Sequence, residues 1–193
     1  SDSVYAVAVT ADGKRAISGS WDKTLKVWDL ITGKEEFTLK GHGYSVYAVA
    51  VTPDGKRAIS ASTDNSLKVW DLTTGKELFT LKVHSNLVNK VHSNSLHKEL
   101  FPIKVHSNSV NAVAITADGK RVISGSFDNT LKVWDLITGK ELFTLKGHSD
   151  LVNAVAVTAD GKRAISGSSD NTLKVWDLTT GKELFTIKGH SNG

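Results

Sequence analysis

Short apolar runs separated by turn-forming clusters recur along the whole chain, and one of them can be read for all. "VNAVAVT" at Val152–Thr158 is β-branched and apolar enough for a buried strand, and the Asp160-Gly161 pair that follows supplies the positive φ that a hairpin turn needs. "RAISGS" is then a second strand, "SDNT" a turn, "LKVWDL" an alternating third strand, "TTGK" a turn, and "ELFTIK" a fourth strand, after which "GHS" leads onward. No window carries a helical period. The pattern predicts an all-β chain of four-stranded antiparallel meanders.

The meander is copied. "LKVWD" occurs four times, ending at Asp29, Asp71, Asp135 and Asp177, and the last two 42-residue copies differ at only seven positions. The intervals between these aspartates are 42, 64 and 42 residues, so an extra 22 residues, Val83–Lys104, sit between the second and third copies. That stretch, "VHSNLVNKVHSNSLHKELFPIK", starts and finishes like a unit but lacks the middle with "DGKR" and "VWD". It reads as the remnant of a fifth unit, dividing the chain into residues 1–82, a truncated insert 83–104, and residues 105–193. "KELFTLK" at Lys76–Lys82 and "KELFPIK" at Lys98–Lys104 compete for the same outer-strand position. Pro102 removes a ladder donor, so the first is expected to complete the second unit, with Val83–His97 a protruding loop and the second segment at an edge.

Composition narrows the chemistry. The chain has no cysteine, which excludes disulfides, thiol catalysis and cysteine-ligated metal, and suits a reducing compartment. No stretch approaches the length of a membrane span or has the order of a secretory signal, so a cytoplasmic location is expected. The net charge of +4 is spread through every unit as mixed Lys, Arg, Asp and Glu, with no basic stripe, which argues against nucleic acid as a partner. The Gly-Lys pairs lack the earlier glycine and the following Ser or Thr of a phosphate loop. His84, His92, His97 and His106 cluster around the insert, but three of them belong to the repeated string "VHSN", so duplicated sequence accounts for them and no metal or cofactor is expected.

Gly-His ahead of the first strand, Ser-x-x-x-Asp across the second turn and Trp-Asp closing the third strand together resemble the WD-repeat β-propeller family. The near-identity of the copies further resembles recently amplified bacterial repeats, or an engineered derivative of them. The resemblance implies that each meander is a blade, its first strand lining a channel and its fourth outermost. It also implies recurring polar sets: His42, Ser60, Asp64 and Trp70; His106, Ser124, Asp128 and Trp134; His148, Ser166, Asp170 and Trp176. Blade one has Ser18, Asp22 and Trp28 without a preceding Gly-His, and His190 near the chain end supplies the missing element, for the same chain or for another. A His, Ser and Asp together suggest a hydrolytic triad, yet a triad is needed once and these recur beside a tryptophan. A structural hydrogen-bond network uses all four residue types. Of the two serines on the second strand, parity favours the earlier.

No enzyme activity is expected. Some of the differences between copies fall in two loops on the same rim of the meander. Trp21, Thr63, Phe127 and Ser169 share one turn position, Tyr44, Asn108 and Asp150 one loop position, and Tyr5, Tyr47, Asn111 and Asn153 one strand position. This looks like a recognition surface for a protein or peptide, with Trp21, Tyr44 and Phe127 as anchors. The opposite rim, with Lys14, Arg15 and Lys34, reads as solubilising. The family implies rings of about seven blades or more, so four blades in an open arc would leave two apolar faces in water. A head-to-tail homodimer forming an eight-bladed ring is therefore expected, and the leading reading is a non-enzymatic scaffold. The alternative is a structural or engineered repeat with no evolved partner.

Overall fold

A computed structural model describes residues 2–82 and 106–188 of the 193-residue chain. The insert 83–104 and His84, His92, His97 and His190 lie outside the described residues. Among the described residues, sixteen strands form four sheets. The first holds β1 (Val4–Val9), β2 (Arg15–Ser20), β3 (Thr24–Asp29) and β4 (Glu35–Lys40). The second holds β5 (Val46–Val51), β6 (Arg57–Ser62), β7 (Ser66–Asp71) and β8 (Lys76–Lys82). In the third are β9 (Val110–Ile115), β10 (Arg121–Ser126), β11 (Thr130–Asp135) and β12 (Glu141–Lys146), and in the fourth β13 (Val152–Val157), β14 (Arg163–Ser168), β15 (Thr172–Asp177) and β16 (Lys182–Lys188). Every sheet runs in chain order with antiparallel neighbours, and no helix occurs among the described residues. Of the two candidate outer strands for blade two, Lys76–Lys82 is the one paired to β7.

Turn chemistry sets the hairpins. After β1, the Thr10 hydroxyl donates to Asp12 (2.6 Å), Gly13 closes on the Thr10 carbonyl, and Gly13 takes φ +68°. After β3, Asp29 accepts the backbone N–H groups of Ile31 and Thr32, each at 2.8 Å. The aspartate of each Trp-Asp pair is thus a turn cap: backbone N–H bonds hold Asp29 and Asp71 below the usual carboxylate range.

The hydrophobic cores lie between sheets. Ile17, Leu25, Val27 and Leu39 of blade one bury against Val46, Ala58, Trp70 and Leu72 of blade two. Equivalent residues make the junctions between blades two and three and between blades three and four. Both faces of each inner sheet are apolar for this reason. Successive blades approach most closely at their first strands, β1 to β5, β5 to β9 and β9 to β13, so the sheets fan out from a common inner edge. Neighbouring sheets come close enough at a glycine to exclude a side chain: a Cβ on Gly19 would lie 2.7 Å from Val46 Cγ1.

The ends of the array are open. Val7 on blade one is 68% exposed and Phe185 on blade four is 50% exposed, whereas their counterparts Val49, Val113, Val155, Phe37, Phe79 and Phe143 are packed into the three junctions. Leu30 is likewise exposed while Leu72, Leu136 and Leu178 are buried.

The rim read from sequence as solubilising has a second role. Arg15 Nη1 donates to the Leu72 carbonyl of the next blade at 3.2 Å, and Arg121 to the Leu178 carbonyl at 2.7 Å. Arg15 also pairs with Glu36 at 2.8 Å. These arginines staple neighbouring blades, because the turn after the third strand leaves a carbonyl facing the preceding sheet.

Candidate functional site

Two constellations recur through the blades: a buried polar network and a variable rim. In blade two, strand pairing sets Ser60 opposite Lys68 and Ala58 opposite Trp70, and the loop before β5 lowers His42 between them. Trp70 Nε1–H donates to Ser60 Oγ (2.8 Å), His42 Nε2 meets Ser60 Oγ (2.7 Å) and His42 Nδ1 meets Asp64 Oδ2 (2.8 Å). Chemistry orders the chain of protons. Indole N–H only donates and a carboxylate only accepts, so Ser60 gives its proton to Nε2 and Nδ1–H points at Asp64.

Blades three and four repeat this. Trp134 reaches Ser124 at 3.0 Å, which meets His106 at 2.8 Å, and Asp128 lies 3.0 Å from His106 Nδ1. Trp176, Ser166, His148 and Asp170 are linked at 2.8, 2.7 and 2.8 Å. Among the described residues, blade one brings together Trp28 and Ser18, at 2.9 Å, and Asp22 accepts from Thr24 as its counterparts accept from Ser66, Thr130 and Thr172. The earlier strand serine is the one on the indole. The later, as in Ser62, donates to the loop carbonyl of Tyr44 and accepts the Asp64 N–H.

The sets are poor candidates for hydrolysis on geometric grounds, since Ser60, Ser124 and Ser166 are buried and each spends its hydroxyl proton on the ring and a lone pair on an indole. Burial pushes the Asp64 and Asp128 carboxyls up, but bonds from the histidine, a hydroxyl and a backbone N–H outweigh it and hold both well below the usual range. Asp170 is held down in the same way, against burial, by Thr172 and His148. A carboxylate whose folded value lies below its unfolded 3.8 stabilises the fold above that value and loses the contribution as pH falls through it toward the folded value. Acid titration of the urea midpoint should show stability draining below about pH 4, and Asp170→Asn should make that acid limb shallower. An unchanged limb would remove Asp170 from the linkage.

The rim owes its composition to a backbone irregularity. In every blade the first strand carries a bulge: Val4 pairs with Ser20 and Ala6 with Gly19, leaving Tyr5 unpaired, and Tyr47, Asn111 and Asn153 occupy the same place. Tyr5 and Tyr47 stack at 4.9 Å with an interplanar angle of 12°, and Trp21, 54% exposed, sits edge-on to Tyr5 at 6.2 Å. Tyr44, 63% exposed, lies beneath Lys23 Nζ at 5.6 Å from the ring centre. Phe127 stands apart on blade three, half-buried and without a ring contact among the described residues. Tyr5 and Tyr47, variable in sequence but not singled out as anchors, are thus at the centre of the aromatic cluster. On blade four the same position is polar, Asn153 Nδ2 donating to Ser169 Oγ at 2.8 Å.

Among the described residues no group of three or more His, Cys, Asp or Glu is arranged to hold a metal ion, and no helix is long and apolar enough to cross a membrane.

Four-stranded meanders fanned about their first strands, with the cores at the junctions, define an array of β-propeller blades. A family model described as WD domain, G-beta repeat matches residues 1–29, 33–71, 97–135 and 139–177, and the chain belongs to that family. The match 33–71 runs from β4 through β7, so the sequence unit straddles a junction between two sheets. Among individual proteins, the small ribosomal subunit protein RACK1 of Candida albicans is 55% identical over 31 residues, 16% of this chain and 10% of that protein. Its counterpart in Drosophila melanogaster is 57% identical over 28 residues, 14% of this chain and 9% of that protein. The matched stretch thus spans about a tenth of the length of these relatives.

Proposed function

We propose that this chain is a non-enzymatic, cytoplasmic scaffold that binds a protein or peptide on its aromatic rim and joins head to tail with a second copy to close an eight-bladed ring. One observation carries the binding role: Tyr5, Trp21, Tyr44 and Tyr47 are exposed together at the junction of blades one and two, on a frame otherwise repeated nearly letter for letter. Large aromatic side chains with few rotatable bonds anchor protein interfaces at low entropic cost. Ring closure is supported by the two open faces, which are the unmatched halves of a junction the chain already makes three times. The RACK1 relatives are named as ribosomal subunit proteins, but similarity over 31 residues, less than one blade, transfers no particular partner.

The binding role is tested by selecting a displayed random-peptide library on the protein and on a Trp21→Ala, Tyr47→Ala variant. Enriched peptides should lose about tenfold or more in affinity on the variant, a hot-spot effect. A library that enriches nothing, or peptides indifferent to the variant, would leave a repeat with no evolved partner on this rim.

A further inference from the structure

The turn between β2 and β3 departs from the repeat at the residue whose backbone is most demanding. Asn65, Asn129 and Asn171 hold that position in blades two to four with φ of 64, 66 and 64°, and asparagine is among the few residues that tolerate left-handed backbone. Blade one has Lys23 there at φ 72°. Its N–H donates to the Ser20 carbonyl at 3.3 Å, as the Asn65 N–H donates to Ser62 at 3.2 Å. The turn itself is unchanged, so what lysine adds, at a place where it is strained, is its side chain.

Holding the blades together does not require that side chain. In blade three Asn129 Nδ2 donates across the junction to the Ser149 carbonyl at 3.2 Å, and Gly43 stands at the place of Ser149 ahead of blade two. What asparagine lacks is charge. Lys23 is exposed, forms no ion pair among the described residues, and carries its ammonium 5.6 Å from the centre of the Tyr44 ring. The acids beside it are engaged in their own turns. Asp22 accepts the N–H and the hydroxyl of Thr24, and Asp64, in the matching turn of blade two, accepts His42 and the Gly43 N–H. The ammonium also adjoins the aromatic cluster, since Trp21, two residues before it, stands edge-on to Tyr5, and Tyr5 stacks on Tyr47. One turn thus presents a cation and a large apolar surface side by side, which is complementary to a carboxylate with an apolar neighbour.

Resting on the rim-binding reading above, we propose that the partner of this rim is an acidic, apolar peptide segment: an Asp or Glu side chain pairs with Lys23, and a bulky apolar residue next to it packs on Trp21, Tyr5 and Tyr47.

The test uses peptides enriched from the displayed library on the intact protein. They should share an Asp or Glu beside a bulky apolar residue. Lys23→Asn should weaken them about fivefold and Lys23→Arg should not, and changing the peptide's acid to its amide should cost about fivefold on the original protein and nothing further on Lys23→Asn. Lys23→Asn should not lower the melting temperature, since it installs the residue that the other three turns carry. Peptides lost on the Trp21→Ala, Tyr47→Ala variant but indifferent to Lys23→Asn, or free of acidic residues, would overturn the acidic partner and leave the rim as a binding surface. A fall in melting temperature with unchanged affinity would make Lys23 a bridge between blades instead. A library that enriches nothing would overturn the rim reading and this partner with it.

Discussion

Trp134→Ala is expected to lower stability by about 3–5 kcal/mol, the usual cost of removing a fully buried tryptophan. Trp134 is inaccessible to solvent in the junction between blades two and three, in one core cluster with Ile59, Leu67 and Leu81 of the preceding sheet, and its indole N–H ends on the buried Ser124. Truncation opens a cavity between two sheets and strands a hydroxyl that His106 alone must then satisfy. The same substitution at Trp28 is a control within the same molecule. Trp28 sits at the identical place in its blade but has no preceding blade over it and is partly exposed, so Trp28→Ala should cost about 1–2 kcal/mol in the isolated chain. Chemical denaturation of both variants checks the contrast. Equal losses would mean that the junction contributes nothing and that tryptophan acts only within its own sheet.

Sedimentation at micromolar concentration should give twice 20.8 kDa, and Val7→Asp should return the chain to one copy. Val7 is exposed in the single chain, so the change spares its fold, but in a closed ring it places an unpaired carboxylate in both new junctions. Burying an unpaired charge costs several kcal/mol per ion, enough to dissociate the pair. Val155→Asp makes the same change at the same unit position inside the junction between blades three and four, and should destabilise the chain itself at any concentration. A Val7→Asp protein that stays a dimer would show that the open blade faces are not the surfaces that meet.

The strands were legible because every one is bounded by a turn whose residues have only one good use: Asp-Gly, Asp-Asn and Thr-Gly recur at fixed spacing, and the period of two lies between them. That Ser60 rather than Ser62 meets Trp70 followed from parity, since residues two apart share a face but only one stands beside the tryptophan on the neighbouring strand. What sequence left obscure lies at junctions. Arg15 and Lys14 look alike as letters on a charged rim, yet one reaches across to a carbonyl 57 residues away, and no local pattern encodes that. The centrality of Tyr5 and Tyr47 was hidden for a different reason. Strict alternation assigns each strand residue to one face or the other, and these belong to neither, because the bulge turns them toward the rim.

That bulge separates two kinds of selection. A residue on either face of a blade answers to a neighbouring sheet, and its size is fixed by a core; the bulged residue meets a rim neighbour such as its counterpart on the next blade, as Tyr5 meets Tyr47. Tyrosine at position 5 and asparagine at position 153 are carried on backbones with the same register, the same pairing partners and the same flanking valine and alanine. Each blade therefore contributes one letter to the mouth of the array that the cores between blades do not dictate. A short binding surface can be rewritten by single substitutions, or reshuffled wholesale by copying blades, without renegotiating the stability of the frame that displays it.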